Sequence, residues 1–281
     1  MMDFTAKKYF EILHFLKKNE YTFLRVQDYL TSNSLPEKFV IIRHDVDLDP
    51  FIQLKFAEAE AKLNVVTSYY FRHIKSIFKK DTITEIYNLD HEIGYHYEVI
   101  TKAKGDQKLA LQLFLDELEE FKQNWNSKTI CPHGGSFNPN FNAYNLQSIL
   151  KNLPKFIFNQ KTLYSSWSNF NIWKNYHYSD FNLLGDAYDS INFDNFLYLS
   201  DTGRSWKKKH KRLDHVQSTI TDQIDIRNSN HLLKLIESGD FPRLYLLFHL
   251  EQWKDNLKDW TGWYLSQIMR RTGKKIVFKN G

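Results

Sequence analysis

Residues 39–50 have the sequence FVIIRHDVDLDP, an apolar run that leads directly into a cluster of ionisable groups. The four apolar residues, three of them β-branched, predict a buried strand. Because residues two apart in an extended chain share a face, Asp45 and Asp47 are expected to point the same way. Adjacent carboxylates repel each other unless a cation or a shared proton relieves the repulsion. The pair therefore indicates a metal ligand beside a general base.

A structural role is the alternative interpretation, because aspartates often cap the N-termini of helices. Asp49 followed by Pro50 matches the Ncap and N1 positions of a helix that begins there. With Asp49 as the cap, neither Asp45 nor Asp47 has a structural requirement to meet. This favours a chemical role for the pair.

The composition is that of an ordinary globular protein, with 42% hydrophobic and 25% charged residues among 281. We predict one α/β domain over residues 1–281, with N-terminal helices in residues 1–36. The single cysteine, Cys131, excludes an internal disulfide and fits a reducing compartment. The sequence has neither a recognisable signal peptide nor an apolar run of bilayer length, so a cytoplasmic location is expected.

The net charge of +5 is concentrated in a basic segment, Lys207–Arg212. Such a segment can attract an anionic substrate or a membrane surface, which leaves peripheral membrane contact open. A solvated loop without a partner is the alternative. A nucleic-acid partner is not expected, and the sequence does not indicate an oligomeric state.

Segments of strand character alternate with segments of helical periodicity along the chain. After the first strand, further strands are predicted at 65–71, 92–97, 129–131, 156–158, 196–200 and 243–248. Helices are predicted at 4–18, 26–30, 50–63, 82–89, 107–123, 144–150, 231–237 and 262–270. This alternation predicts βα units around a parallel sheet that could close as a barrel.

Histidine or aspartate follows several of these strands, at or just beyond the C-terminal end: His96, His133, Asp201 and His249 join the Asp45–Asp47 pair. In a parallel barrel those ends form one rim, where catalytic groups collect. A single histidine there is usually a packing residue, but five strand ends favour a shared site. Imidazole and carboxylate ligands suit zinc, which points to metal-assisted hydrolysis with a carboxylate base and a histidine acid.

The same residues resemble the motifs of the polysaccharide deacetylase superfamily, which comprises NodB-homology domains and carbohydrate esterase family four. Arg43–Asp47 resembles the first motif in its Asp-x-Asp form, and His91–His96 resembles the approach to the second. Cys131–Gly135 lies where the third motif is expected, and Leu247–His249 matches the late Leu-x-His motif. The resemblance implies an irregular (β/α) barrel of about seven parallel strands, a deformed TIM barrel.

The resemblance also implies roles for individual residues. It makes Asp45 the general base, Asp47 and His96 ligands of a divalent metal ion, most simply zinc, and His249 the general acid. The family's second motif supplies another histidine four residues after the first, but this chain has Ile100 there. We therefore expect His133 to be the third ligand.

His91 and Glu98 are poorer candidates for that third position. His91 precedes the strand, and Glu98 would share its inward face but lies outside the matched position.

Two segments, Asp201–Trp206 and Glu251–Trp253, resemble substrate-facing elements of a divergent branch associated with surface-polysaccharide biosynthesis. The predicted substrate-binding residues are Arg43, Asp201, Arg204, Trp206 and Trp253. Arg204 could form a two-point contact with a carboxylate or phosphate. The two tryptophans could stack on a sugar ring or simply pack in the core, and the sequence does not separate these alternatives.

Taken with the resemblance, the expected activity is removal of an N-acyl group, acetyl or formyl, from an amino sugar. A nucleotide-linked or lipid-linked precursor of a cell-surface polysaccharide is the expected substrate. A non-catalytic barrel that binds sugar or a partner enzyme is one alternative. Another hydrolase on the same scaffold is a second.

Overall fold

The computed structural model describes residues 2–134, 169–206, 218–266 and 268. The strands are β1 Thr22–Leu24, β2 Phe39–Val46, β3 Ser68–Phe71, β4 Glu92–Tyr97, β5 Thr129–Pro132, β6 Gly185–Asp186, β7 Leu197–Ser200 and β8 Arg243–Phe248. The helices are α1 Ala6–Lys18, α2 Val26–Thr31, α3 Pro50–Lys62, α4 Lys80–Asn88, α5 Val99–Lys102, α6 Gln107–Trp125, α7 Thr219–Asp222, α8 Ser229–Ser238 and α9 at 257–266. The basic segment Lys207–Arg212, Gly135 and the elements predicted at 144–150 and 156–158 lie outside the described residues.

All pairings between the described strands are parallel. The strand order is β6-β5-β4-β3-β2-β8-β7, and β1 pairs with the first half of β2. This curled path of seven strands forms a half-barrel with helices on its outer side. The predicted class, an irregular (β/α) barrel of about seven parallel strands, is confirmed.

Strand β2 is an interior strand that pairs with β1, β3 and β8, and all eight of its residues are buried. Its side chains alternate between two environments, as the two-residue period of a strand requires. Val40 and Ile42 belong to the larger apolar cluster beneath the helices, whereas Phe39 and Ile41 belong to a second cluster inside the curl of the sheet. The inward positions continue through Arg43 to Asp45, so both ionisable side chains face the interior of the half-barrel.

Packing inside the half-barrel requires a glycine at position 94 of β4. A Cβ on Gly94 would lie 2.3 Å from the ring of Tyr70, which crosses over it from β3. The hydroxyl of Tyr70 is 2.8 Å from that of Thr129 on β5. The missing side chain therefore lets one aromatic ring span three strands.

The start of α3 follows the prediction made from Asp49 and Pro50. Asp49 is the N-cap, with its side chain accepting a hydrogen bond from Ile52 N at 3.2 Å, and Pro50 opens the helix. The N-cap of α1 is Thr5, which accepts from Lys8 N at 3.1 Å. Asp45 and Asp47 make no capping contact, in agreement with the sequence argument.

Some element boundaries differ from the predicted ones. Strand β1 was not predicted, because three residues are too few to show a two-residue period. Strand β3 begins at Ser68 instead of at residue 65. Helix α9 begins at 257 instead of 262, because Asn256 accepts a hydrogen bond from Asp259 N at 3.1 Å and starts the helix earlier.

Within the described ranges, none of the helices has the combination of length and apolar composition that crossing a bilayer requires.

Candidate metal centre

Three candidate ligands from different strands meet at the C-terminal rim of the sheet. Asp47 lies just beyond β2, His96 lies on β4, and His133 lies just beyond β5. Asp47 Oδ1 is 3.6 Å from His96 Nε2 and 3.4 Å from His133 Nε2. One ligand atom from each residue lies within 4.8 Å of the other two. A single ion could therefore contact all three.

The chemistry of these groups fits a divalent cation. Asp47 Oδ1 is buried and has no hydrogen-bond partner among the described residues. Burial alone would raise the pKa of Asp47, but His133, His96 and Arg72 hold it well below its ordinary value. Burial and the nearby Arg72 lower the pKa of His133 to about 4, so its imidazole is neutral. An ionised carboxylate and a neutral imidazole are the forms that bind zinc.

The second nitrogen of each histidine faces an acceptor on the side away from Asp47. His96 Nδ1 is 3.0 Å from the carbonyl oxygen of Cys131, which fixes the orientation of that ring. His133 Nδ1 is 3.5 Å from Glu98 Oε2. Both rings thus present Nε2 to Asp47, and their centroids are 5.2 Å apart at right angles.

Asp45 lies beside this group and is held by Arg43. The guanidinium donates from Nε to Oδ1 at 2.7 Å and from Nη2 to Oδ2 at 2.6 Å. Burial opposes ionisation of Asp45, but Arg43 and His96 lower its pKa below the ordinary value. Asp45 Oδ2 is 3.8 Å from His96 Nε2. Asp45 is therefore a carboxylate at the edge of the three-ligand group.

His249, just beyond β8, forms a dyad with Asp201, just beyond β7. Its Nδ1 is 2.7 Å from Asp201 Oδ1, and its backbone N–H donates to Oδ2 at 2.9 Å. Trp253 Nε1 also donates to Asp201 Oδ2, at 2.6 Å. Burial would lower the pKa of His249, but Asp201 raises it to about 10. The imidazole is therefore protonated at neutral pH.

No family model, curated protein or solved structure matched this chain. The interpretation of the site therefore rests on its own geometry.

A second group of possible ligands, Asp45, His96 and Cys131, overlaps the first. It fits a cation less well for two reasons. Both oxygens of Asp45 are already bonded to Arg43, and burial raises the pKa of the Cys131 thiol well above its ordinary value. A protonated thiol is a poor metal ligand, so the Asp47 group is the better candidate.

The predicted substrate-binding residues are more enclosed than the sequence suggested. Arg43 is fully buried behind Asp45, and Asp201 is fully buried behind His249. Trp206 and Trp253 are 3% and 1% exposed, which favours the packing interpretation over stacking on a sugar. Arg204 is nearly buried, and its Nη1 donates to the carbonyl oxygen of Trp260 at 2.8 Å.

Ile100 occupies the position where the resembled motif has its second histidine. It is fully buried and belongs to the larger apolar cluster. Asn169 accepts a hydrogen bond from Ile100 N at 3.1 Å and donates one to the carbonyl oxygen of His133 at 2.9 Å. Asn169 thereby connects the start of α5 to the loop that carries His133.

Two further residues belong to the site, and the sequence analysis gave them no role of their own. Arg72, just beyond β3, forms a forked contact with Glu98 and lies 3.5 Å from the carbonyl oxygen of Asp47. Glu251 is buried, and burial together with the charge of Asp47 raises its pKa to about 8, against the opposing effect of His249. Ser68, Tyr70 and Arg72 follow one another at two-residue intervals, so the period of a strand places Arg72 on the same face as the other two.

Proposed function

We propose that this chain is a metal-dependent hydrolase that removes an N-acyl group, acetyl or formyl, from an amino sugar. The observation that supports the proposal is the meeting of three ligands, Asp47, His96 and His133, with an ionised carboxylate and an imidazolium. Asp45 is deprotonated and can accept a proton, whereas His249 is protonated and can donate one.

The mechanism needs a base, an acid and a Lewis acid. A divalent ion held by Asp47, His96 and His133 would polarise a carbonyl oxygen and lower the pKa of water. Asp45, kept ionised by Arg43, accepts the proton of the attacking water. His249 has Nδ1 bonded to Asp201, so the proton on Nε2 is the one available for the leaving amine.

The proposal extends to the family and to the substrate class. The motif resemblance supports membership of the polysaccharide deacetylase superfamily, in a branch that acts on precursors of surface polysaccharides. We therefore propose a nucleotide-linked or lipid-linked amino sugar as the substrate. The cytoplasm is the proposed location of the enzyme. The order of residues along the chain, Asp45 and Asp47 first and His249 last, is consistent with that family.

The test is release of acetate or formate from N-acetylated and N-formylated nucleotide sugars by the zinc-loaded protein. Asp45→Asn and His249→Gln should each lower the rate by about 10²–10⁴-fold, because each removes one proton-transfer group. Unchanged rates in both variants would contradict the assigned roles. A wild-type protein that neither binds metal nor releases acid would favour the non-catalytic alternative.

A further inference from the structure

The ring of His133, unlike that of His96, has no hydrogen bond at Nδ1 within the described residues. His133 lies on the loop beyond β5, and its backbone is fixed by bonds to Tyr97 and Asn169: its N–H donates to Tyr97 O at 2.8 Å, and its carbonyl accepts from Asn169 Nδ2 at 2.9 Å. Neither bond restrains rotation of the imidazole. Its side-chain orientation must therefore be set by what surrounds the ring.

Glu98 is the group that faces the other nitrogen of this ring. Its Oε2 is 3.5 Å from His133 Nδ1, which is buried and makes no hydrogen bond within the described residues. Asp47 lies on the opposite side, 3.4 Å from Nε2. The ring is thus held between two carboxylates, one at each nitrogen.

Glu98 is itself rigidly placed. Arg72 donates to it from Nε at 3.2 Å and from Nη2 at 2.7 Å, and only 4% of the Glu98 residue is exposed. A forked guanidinium contact fixes both the position and the plane of a carboxylate. Arg72 Nη2 bonds Oε2, the oxygen that faces His133 Nδ1. A carboxylate oxygen can accept more than one hydrogen bond, so Oε2 can also accept one from His133.

We propose that Glu98 is a positioning residue for His133, accepting the Nδ1 proton of its imidazole and so leaving Nε2 free to bind the metal ion. This inference rests on the proposed function, because it assumes that His133 is a ligand. A carboxylate behind a metal-binding histidine fixes the tautomer and the ring orientation and makes the ligand nitrogen more basic. Glu98 acts through His133 and is outside the three-ligand group.

The first measurement is zinc affinity of the purified chain, by competition with a chromophoric chelator. Glu98→Gln should weaken zinc binding by about 10–100-fold, the usual effect of removing such a partner. Glu117→Gln is the matched control, because Glu117 is also a buried carboxylate paired with a cation, Lys102, at 2.8 Å. The contacts of Glu117 are with Lys102, Tyr95 and His73, and none of these is a candidate ligand. The zinc affinity of Glu117→Gln should therefore equal that of the wild type.

The second measurement is the tautomer of His133, read from its ¹⁵N chemical shifts in the metal-free protein. The wild type should carry the proton on Nδ1, and Glu98→Gln should show a mixture of tautomers. A purely structural role of Glu98 would not change this signature. Glu98→Asp, which keeps a carboxylate, should recover part of the affinity lost in Glu98→Gln.

The outcomes separate this inference from the proposed function. If the wild type binds zinc through His133 but Glu98→Gln matches it in affinity and tautomer, the positioning role is overturned and the metal site stands. If the wild type binds no zinc, the positioning role of Glu98 and the proposed metal-dependent function are both contradicted. If Glu98→Gln does not fold, the wild-type tautomer decides, because a proton on Nε2 of His133 would overturn the inference.

Discussion

Two aspartates separated by one residue have different surroundings and hence different chemistry. Both oxygens of Asp45 accept hydrogen bonds from Arg43. Asp47 Oδ1 instead faces two imidazole nitrogens and makes no hydrogen bond among the described residues. Both carboxyl groups have lowered pKa values, but for different reasons, a guanidinium in one case and chiefly histidines in the other. The arrangement suits a proton acceptor next to a metal ligand.

The protonation state of His249 depends on its contact with one neighbouring side chain, that of Asp201. Asp201 raises the pKa of His249 from 6.5 to about 10, against the effect of burial. Asp201→Asn should return the pKa toward or below 6.5, because the amide cannot stabilise the imidazolium. The measurement is an NMR titration of the His249 ring resonances in both proteins.

The same shift predicts how the ion pair affects stability. Because the pKa is raised on folding, the stabilisation is fully present below pH 6.5 and is lost as the pH rises through about 10. The free energy of unfolding of Asp201→Asn should therefore fall below the wild-type value most clearly near neutral and acidic pH. A wild-type His249 that titrates near 6.5 would contradict both expectations.

Metal retention tests His133 directly. His133→Ala should lose most of the zinc bound by the wild type, because Asp47 and His96 alone make a two-ligand site. His14→Ala is the control, since His14 lies on the exposed surface of α1, where its Nδ1 is 2.6 Å from the carbonyl oxygen of Phe10. Full zinc content in His133→Ala, measured by atomic emission, would remove this residue from the ligand set.

At the scale of elements, a buried polar network holds the helices against β2. Glu60 on α3 accepts hydrogen bonds from Tyr9 on α1 and from Tyr69 on β3, the latter at 2.9 Å. His44 on β2 is 3.0 Å from Glu60 Oε1, and Thr67 donates to Oε2 at 3.0 Å. His44 is next to Asp45 but faces the opposite side of the strand. The network therefore joins four elements directly behind the candidate site.

Glu60→Gln should destabilise the protein by about 3–5 kcal/mol, because the amide cannot accept all the charge-assisted hydrogen bonds that the buried carboxylate receives from Tyr9, Tyr69 and Thr67. Glu58→Gln on the same helix is the control, because Glu58 is exposed. Burial opposes ionisation of Glu60, but His44 lowers its pKa below 4.5. The stabilisation is therefore present above pH 4.5 and lost on acidification. Urea unfolding at several pH values would measure it, and equal stabilities of the two variants would contradict the expectation.

The sequence predicted the elements whose signals are local. The strand that begins with the apolar run 39–42, the cap at Asp49 and the strand before His249 all follow from neighbouring residues. That Asp47, His96 and His133 lie together follows from parallel strands, since their C-terminal ends share one edge. Their roles as ligands remain predictions.

What could not be predicted depends on contacts between distant segments. The burial of Trp206 and Trp253 requires knowing that Phe4, some 200 residues earlier, packs against both rings. The two-residue period places Arg72 on the inward face, but its contact with Glu98 depends on the pairing of β3 with β4. Neither of these contacts can be inferred from the periodicity of residues along the chain.

At the scale of the whole molecule, the N-terminal segment closes over the loops that follow β7 and β8. Phe4 stacks on Trp206 at 5.5 Å and meets Trp253 edge-on at 5.2 Å. Its carbonyl accepts from Lys254 N at 3.2 Å, and the carbonyl of Asp3 accepts from Trp260 Nε1 at 2.6 Å. The start of the chain thus supports the segment in which Trp253 holds Asp201.

Phe4→Ala should therefore affect both stability and the local order of this rim. Removing a buried aromatic ring should cost about 3–5 kcal/mol of unfolding free energy, since the rings of Trp206 and Trp253 lose a partner. Phe51→Ala is the control, because Phe51 is 58% exposed. Hydrogen exchange at residues 249–260 should be faster in Phe4→Ala than in the wild type or in Phe51→Ala, because the ring of Trp253 loses its contact with the ring of Phe4. If exchange there is unchanged while stability falls, Phe4 supports the core alone and does not order the loop that carries His249.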